Sequence, residues 1–421
     1  MAIKRRNGHS VNILVVLPRL PVPAWSGTTL RTLHLLQGLA REASIDVLSI
    51  AHRETSREDM AQLTQCCRRL DLVRWQALPL WRQVPGVLRR FAAGMPFNTK
   101  YFDNRELRRK LYERTRAGSY DVVIIQQIFM AGYLRSVDRA HAGKVVLETH
   151  DMNTELYKRR FLLERNPFEK LKVFLTWMPL RTWEIRMAGR FDLVVTVSEK
   201  DKTRFLSRKK GLNIAVIPNG VDTETNRPAP RLGRDEEILY VGSMDYAPNV
   251  DAALYMCKEI FPRIRRRRPH CTLSIVGKEP PREIRRLGLS PGVTVAGDVS
   301  DVRPYYRRAG VAVIPLRFGG GSRLKILESM ALGTPVVSTG IGCEGLDVEN
   351  GRHLLVADRP DDFAACVDRL FTDVDLWEGL ARAGRCLVVQ SYDWRGIAAL
   401  YLKKLERLTK PASSDEITRI R

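Results

Sequence analysis

Long apolar runs are missing from this sequence of 421 residues. No stretch approaches the roughly twenty apolar residues that a membrane-spanning helix needs. The apolar run Val11–Leu17 ends at Pro18 and is too short for the core of a signal peptide followed by a cleavage site. We therefore expect a cytoplasmic protein.

Metal-binding and phosphate-loop motifs are also absent. The seven cysteines are odd in number, contain no CxxC spacing and stand mostly inside apolar runs, which favours buried free thiols in a reducing compartment. We predict no metal site and no cofactor. The sequence has no GxxxxGK[ST] loop, and no GxGxxG follows its first apolar run, which argues against classical dinucleotide binding.

Acidic residues are scarce relative to basic ones. The chain has 47 Asp and Glu against 70 Lys and Arg, which gives a net charge of +23. The positive electrostatic field of such a charge favours anionic partners: nucleic acid, acidic lipid head groups or phosphorylated substrates. Because no recognition-helix, RRM or KH signature is present, we predict no nucleic-acid partner. A solvated basic surface is the alternative interpretation of any single basic run.

What the sequence does contain is two successive series of short β-branched runs separated by helical patterns. Continuous apolar strands spaced by helices are typical of parallel sheets covered on both faces. We predict an α/β protein of two doubly wound, Rossmann-like domains that face each other across a cleft. The predicted strands are Val11–Leu17, Ile45–Ile50, Leu72–Ala77, Val122–Gln126, Val145–Thr149, Leu193–Val197 and Asn213–Ile217, then Ile238–Val241, Cys271–Val276, Val293–Ala296, Val311–Ile314, Pro335–Ser338 and Leu354–Val356.

The break between the two series lies at Pro218–Asp222 and the polar, Pro-rich stretch that follows it. We predict an N-terminal, acceptor-side domain over 1–222, a linker over 223–237 and a C-terminal domain over 238–393. A last helix and tail occupy 394–421. One arrangement open to this helix is packing back on the N-terminal domain. Ligands of parallel sheets bind at the carboxyl ends of strands, so the cleft is the expected site.

A glycine-rich segment, Phe318–Glu328 (FGGGSRLKILE), follows the strand Val311–Ile314. Glycines that lead into a helix N-terminus present free amide groups to an anion. Arg323 and Lys325 add cations that oppose the helix dipole, an arrangement that a bound diphosphate would neutralise. Glu328 is suited to accept hydrogen bonds from a ribose diol. The alternative is a tight loop before a surface helix.

The run FGGGSRLKILESMALGTPVVST resembles the signature of retaining GT-B glycosyltransferases of family 4, in a subgroup associated with bacterial exopolysaccharide synthesis. Further matches are Val216–Asp222, Thr196–Glu199 and Tyr240–Met244. The resemblance implies sugar transfer from a nucleotide-diphosphate donor to a glycan or polyprenyl-linked acceptor. It also implies that the leaving diphosphate assists the incoming hydroxyl, so that the protein mainly stabilises charge.

The resemblance also assigns roles to residues, with two departures. The family commonly has two glutamates eight positions apart around the glycine loop, whereas Gly320 stands here at the first position and Glu328 at the second. Relatives often carry Arg and Lys where this chain has Gly242–Asn249, so Arg323 and Lys325 would hold the diphosphate alone. The residues expected to bind the donor are Gly27, Gly242, Gly319, Gly320, Gly321, Ser322, Leu324 and Glu328.

In the first domain, His150 and Asp151 follow the strand Val145–Thr149. By resemblance, His150 would touch the donor sugar or the reaction centre, and Asp151 would support it, as would Asn219. For Asp151 the alternative is an N-cap of the helix that follows. For Gly27 the alternative to a phosphate contact is a turn stiffened by the neighbouring prolines.

A stretch over 159–186 interleaves Arg and Lys with Phe, Leu and Trp. It predicts either an interfacial helix on anionic lipid, at the inner face of the cytoplasmic membrane, or a helix pair that covers the first sheet. Two other functions stay open. One is another GT-B enzyme, such as a nucleotide-sugar epimerase or a phosphorylase. The other is a non-catalytic, nucleotide-sugar-binding partner subunit.

Overall fold

A computed structural model of the chain describes residues 11–24, 26–52, 55–75, 93–229, 236–244, 246–320 and 323–410. These residues form two compact units. The first comprises the described residues of 1–24, 28–217 and 398–421, and the second those of 25–27 and 218–397. The division falls between Ile217 and Pro218, a little before the predicted domain end at residue 222.

The first unit is built on a seven-stranded parallel sheet in the order β3-β2-β1-β4-β5-β6-β7. Its central strands are buried over most of their length, and every residue of Val122–Gln126 is buried. Such strands read as continuous apolar runs because helices cover both faces of the sheet. The elements are β1 Asn12–Leu17, α1 Gly27–Leu39, β2 Ser44–Ala51, α2 Arg57–Thr64, β3 Arg69–Arg74, α3 Arg105–Ala117, β4 Val122–Gln126, β5 Lys144–Glu148, α4 Asn153–Leu163, α5 Pro167–Ala188, β6 Leu193–Thr196, α6 Glu199–Arg208 and β7 Ile214–Val216, with 3₁₀ turns at Phe97–Phe102 and Ile128–Ser136.

The second unit is built on a six-stranded parallel sheet in the order β10-β9-β8-β11-β12-β13. Its core is one apolar cluster around the buried strands β8 and β11. The elements are β8 Glu237–Val241, α7 Ala247–Tyr255, a π-helical turn Met256–Ile260, α8 Phe261–Arg267, β9 Thr272–Gly277, α9 Arg282–Leu287, β10 Val293–Gly297, α10 Arg303–Arg308, β11 Val311–Ile314, α11 Leu324–Ala331, β12 Val336–Ser338, β13 Leu355–Val356, α12 Pro360–Thr372, α13 Val374–Ser391 and α14 Trp394–Thr409.

Both sheets agree with the predicted pair of doubly wound α/β domains. The predicted strands are all present, with ends that differ by a few residues; the part of Leu72–Ala77 beyond Trp75 lies outside the described residues. Part of the predicted linker, at 230–235, and the tail from Pro411 also lie outside them. No helix in the described ranges is both long and apolar enough to span a bilayer.

The last helix, α14, belongs to both units. Its start is held in the second unit, where the hydroxyl of Thr223 donates to the Asp393 carboxylate over 2.6 Å. From Ala398 onward it belongs to the first unit. A side chain at Gly38 would place its Cβ 2.3 Å from that of Ala398, so glycine lets α1 and α14 approach closely. Tyr401, on this helix, is buried.

Candidate functional site

In the second unit, the loop after β11 is shaped by glycine. Gly319 has φ of +142°, and a Cβ at this position would lie 2.5 Å from Nη2 of Arg323. Any other residue would be strained and would collide with the guanidinium. The Arg323 Nη1 group donates to the carbonyl oxygen of Gly320, which fixes the side chain against the loop. The predicted site residues Gly321 and Ser322 lie outside the described residues.

Arg323 stands immediately before α11 and is only 7% exposed. Its Nε and Nη2 atoms are buried and have no hydrogen-bond partner in the part of the chain that the structure describes. Leaving a buried charged donor unsatisfied is costly, by about 1–3 kcal/mol or more. The arrangement is understandable if an anionic ligand accepts these hydrogen bonds.

Lys325 lies two residues further along, on α11. Its Nζ donates to Oδ1 of Asn249 over 2.8 Å and lies 4.7 Å from the centre of the Tyr240 ring. Burial, reinforced by the charge of Arg323, lowers the pKa of Lys325 to about 7. Gly242 leaves room for this ammonium group, since a Cβ there would lie 3.0 Å from Nζ. A nearby anion would restore full protonation.

Glu328, the predicted ribose ligand, lies on the same helix. Burial raises its pKa, while the charge of Lys325 and a hydrogen bond with Tyr306 act in the opposite direction. The Tyr306 hydroxyl is also 3.3 Å from the carbonyl oxygen of Lys325. Leu324 begins the helix, half-buried. The start of this helix therefore brings two cations and one carboxylate together.

Asn249 is a site residue that the sequence analysis missed. Its Nδ2 donates to the carbonyl oxygen of Ser243 over 2.8 Å, and the Tyr240 hydroxyl donates to its backbone carbonyl over 2.9 Å. The amide is therefore held in place to accept from Lys325. The segment Gly242–Asn249, which lacks the family's usual cations, contributes an amide that orients one. The absence of those cations was the signal that could have drawn attention to the amide.

Another arginine near the glycine loop is fully engaged. Arg317 donates through Nε and Nη2 to both carboxylate oxygens of Asp251, with the Nε contact at 2.9 Å. Its guanidinium also stacks 4.7 Å from the Tyr255 ring. The bidentate carboxylate raises the pKa of Arg317 and neutralises its charge. Arg323 and Lys325 are thus better placed than Arg317 to meet a ligand.

In the first unit, the carboxyl end of β5 carries a buried ion pair. Nε of Arg31, from α1, donates to Oε1 of Glu148 over 2.8 Å, and both side chains are almost fully buried. Tyr401, from α14, has its pKa raised by burial and by the charge of Glu148. None of these three residues was identified from the sequence.

His150 lies two residues beyond this pair. Its Nε2 is 3.8 Å from Oε1 of Glu148, too far for a hydrogen bond, and neither ring nitrogen has a hydrogen-bond partner among the described residues. Burial, reinforced by the charge of Arg31, lowers the pKa of His150 to about 3. The imidazole is therefore neutral at physiological pH. The neutral ring can donate one hydrogen bond to a ligand or accept one from it, but it cannot act as an acid at that pH.

A different carboxylate from the expected one caps the helix after His150. Glu184, fully buried on α5, accepts from the backbone N–H groups of Asn153 and Thr154 over 2.8 and 3.0 Å. The N-cap residue of α4 is Met152, so the interpretation of Asp151 as that cap was wrong. Glu184 serves because α5 passes beside the N-terminus of α4, a proximity that the sequence does not reveal.

The other predicted site residues are placed as follows. Gly27 is exposed and is the first residue of α1. Asn219 is 8% exposed, just after the point where the units divide. The Ser198 hydroxyl, in the matched segment Thr196–Glu199, accepts from the N–H of Asp201 over 3.1 Å and caps α6.

Two family models match most of the chain. The model "Glycosyltransferase Family 4" matches residues 25–225, and "Glycosyl transferases group 1" matches residues 235–373. The chain belongs to the glycosyltransferases of family 4 and group 1. The second match contains β11, the glycine loop and α11, and the first contains His150.

Similar proteins agree with this assignment. The glycogen synthase of Mycobacterium tuberculosis (strain CDC 1551 / Oshkosh) is 29% identical over 250 residues, which cover 55% of this chain and 59% of that protein. The chain thus spans little more than half the length of this relative. An uncharacterized 44.6 kDa protein in the cps region of Klebsiella pneumoniae is 20% identical over 93% of this chain and 99% of its own length.

Solved structures show the same fold. HepE of Anabaena, solved in complex with UDP and glucose, superposes with a TM-score of 0.64 at 15% identity. The superposition covers 93% of this chain and 99% of that one. The chain has the GT-B fold, in which each of the two units is a parallel-sheet α/β domain.

Proposed function

We propose that this glycosyltransferase moves a sugar, with retention of configuration, from a nucleoside-diphosphate donor to a glycan or lipid-linked acceptor. The observation that carries the proposal is Arg323, a buried guanidinium with two unsatisfied donor atoms among the described residues, beside Lys325. A diphosphate supplies the acceptors and the negative charge that this pair requires. Glu328 would then accept from the ribose hydroxyls, as the family resemblance implies.

The reaction breaks the bond between the anomeric carbon and the diphosphate oxygen and forms a bond from that carbon to the acceptor oxygen, on the same face. The acceptor proton passes to the leaving diphosphate, whose growing charge Arg323 and Lys325 stabilise. We propose that no metal ion is needed, because two cations meet the charge. His150 would contribute a hydrogen bond as a neutral imidazole, since burial holds its pKa at about 3.

The acceptor and pathway are proposed from the relatives. The cps-region protein of Klebsiella pneumoniae matches nearly the whole chain, which supports a role in exopolysaccharide or cell-surface polysaccharide synthesis. HepE was solved with UDP and glucose, so UDP-glucose is the first donor to test. With Gly320 in place of the family's first glutamate, backbone amides rather than a carboxylate would meet the donor sugar.

The test is a thermal-shift screen with UDP, GDP and dTDP sugars in the presence of EDTA. A donor that stabilises the protein is then incubated with lipid-linked and oligosaccharide acceptors, and the anomeric configuration of the product is read by NMR. We expect one nucleotide class to bind and the product to keep the donor's configuration. Binding without hydrolysis or transfer to any acceptor would instead favour a non-catalytic partner subunit.

A further inference from the structure

The two helices after His150 form a hairpin with an apolar end. α4 and α5 are joined by the short connection Glu164–Asn166, and we call residues 158–172 the hairpin tip. Leu162 is 68% exposed, Phe168 77% and Leu171 56%. Large apolar side chains grouped in this way on a surface mark a site of interaction.

Hydrogen bonds and ring stacking hold the hairpin tip in its conformation. Oδ1 of Asn166 accepts from the N–H groups of Phe168 and Glu169 over 3.0 and 3.3 Å and so caps α5. On the inner side of the hairpin, the rings of Phe161 and Trp177 stack with centroids 5.4 Å apart. The aromatic interior thus holds the two helices together and leaves the other apolar side chains of the tip in solvent.

The later part of α5 behaves differently. Val173, Leu180 and Trp183 are buried, and the last two belong to an apolar cluster of the first unit. The stretch over 159–186 therefore consists of two structurally different parts. Its C-terminal part is a helix that packs on the first unit, as one of the two predicted alternatives has it. Its N-terminal part is the exposed hairpin tip.

The hairpin tip is also strongly cationic. It contains six Lys and Arg residues against two Glu, a net charge of +4. Arg165 and Lys172 are exposed, and Glu169 is already engaged with the Nζ of Lys172 over 2.5 Å. Cations that alternate with exposed apolar side chains match a surface of anionic head groups over hydrocarbon. The cores of protein–protein interfaces are instead depleted in lysine.

We propose that the hairpin tip docks on a bilayer that contains anionic lipid. Phe168, Leu162 and Leu171 enter the boundary between head groups and acyl chains, and the surrounding Lys and Arg side chains meet the lipid phosphates. This binding requires no donor or acceptor, so it goes beyond the proposed transfer reaction. Its test uses lipid alone and stands apart from any test of transfer.

The experiment is flotation of the full chain with vesicles of phosphatidylcholine alone or of phosphatidylcholine with phosphatidylglycerol. We expect binding to the anionic vesicles and a loss of about tenfold or more on neutral vesicles, or in 1 M salt, where the Debye length falls to about 3 Å. The variants L162S/F168S/L171S and R165E/K172E should each lose about tenfold or more in binding to the anionic vesicles.

Matched controls lie in the second unit. Leu289 is 85% exposed and Arg282 and Arg286 are exposed, so L289S and R282E/R286E should bind as the unmodified chain does. Circular dichroism checks that each variant is folded, and the single variant F168S replaces the triple variant if that one unfolds. Hairpin-tip variants that float normally, or controls that lose as much as they do, would overturn the proposal. So would equal binding to neutral and anionic vesicles.

Discussion

Each unit of this protein buries an arginine beside the carboxyl end of a parallel strand, and the two arginines differ in what surrounds them. Arg31 of the first unit is matched by the carboxylate of Glu148 at 2.8 Å. Arg323 of the second unit donates to a single backbone carbonyl and keeps two donor atoms unsatisfied among the described residues. Both guanidinium groups are removed from solvent.

The difference separates a structural charge from one kept for a ligand. A buried cation with its own carboxylate is neutralised when the chain folds. Removing the cation therefore leaves the carboxylate charge buried and unpaired. A buried cation that lacks such a partner destabilises the free protein and is stabilised when an anion binds. Replacing the buried arginine should therefore lower the stability of the protein when Arg31 of the first unit is changed. It should weaken ligand binding when Arg323 of the second unit is changed.

The largest expected effect is on the stability of the first unit. Arg31→Met leaves Glu148 buried without its cation, which should lower the free energy of unfolding by about 3–5 kcal/mol. Urea denaturation measures it. Arg109→Met is the control, because Arg109 and Glu113 form an exposed ion pair, worth about 0–1 kcal/mol. Equal losses in the two variants would mean that the buried pair is not structural.

A second prediction concerns Glu184, a buried carboxylate that is satisfied by N–H groups rather than by arginine. Burial raises its pKa from 4.5 to about 7. The unfolded chain therefore releases this proton at lower pH, and the stability that Glu184 contributes below pH 4.5 is lost as the pH rises to about 7.

Comparison with Glu184→Gln isolates this contribution, because glutamine does not ionise and the other titrating groups are common to both proteins. Between pH 4.5 and 7.5 we expect the unmodified protein to lose about 3 kcal/mol of unfolding free energy relative to the variant. Urea titrations at a series of pH values measure the difference. A difference that is constant with pH would show that Glu184 is ionised throughout.

The third prediction is catalytic. Arg323→Ala should lower kcat/KM about a hundredfold, the size typical of losing one electrostatic stabiliser, without lowering thermal stability. Arg317→Ala removes a neighbouring arginine that Asp251 already neutralises, and it should change the rate by less than about tenfold. Steady-state kinetics with the donor found in the screen measures both. If the two variants lose activity equally, the contrast between paired and unpaired cations does not govern function.

The smallest expected effect is a pH dependence of nucleotide affinity. Burial lowers the pKa of Lys325 to about 7, so above that pH the free protein has lost the charge that a diphosphate needs. The Kd for UDP should rise up to about tenfold per pH unit above pH 7. In Lys325→Arg the charge persists and the profile should be flatter. Calorimetric titration from pH 6.5 to 8.5 would refute this role if both profiles coincide.

The fold could be predicted because both sheets are parallel and buried. Val122–Gln126, which is apolar up to its last residue, and the wholly apolar Val311–Ile314 were predicted as strands and form strands with those bounds. Buried parallel strands leave this pattern in the sequence because helices cover both faces. The glycine loop could be located for a related reason, since a ligand site at the carboxyl end of a parallel strand occupies one short segment.

The partners of the site residues could not be predicted, because they come from distant segments. Asn249 reaches Lys325 across 76 positions, and Arg31 reaches Glu148 across 117. No local pattern distinguishes these polar residues from solvated ones. The wrong interpretation of Asp151 has the same origin, since Glu184 caps α4 from another helix.

By itself, the sequence determined which segments are strands and helices, the composition of the glycine loop and the excess of positive charge, because these depend on neighbouring residues alone. Only the tertiary structure decided which buried arginine is paired with a carboxylate among the described residues and which is not. It also decided which apolar side chains of 158–172 stay in solvent. Burial and charge pairing are properties of what the folded chain brings together.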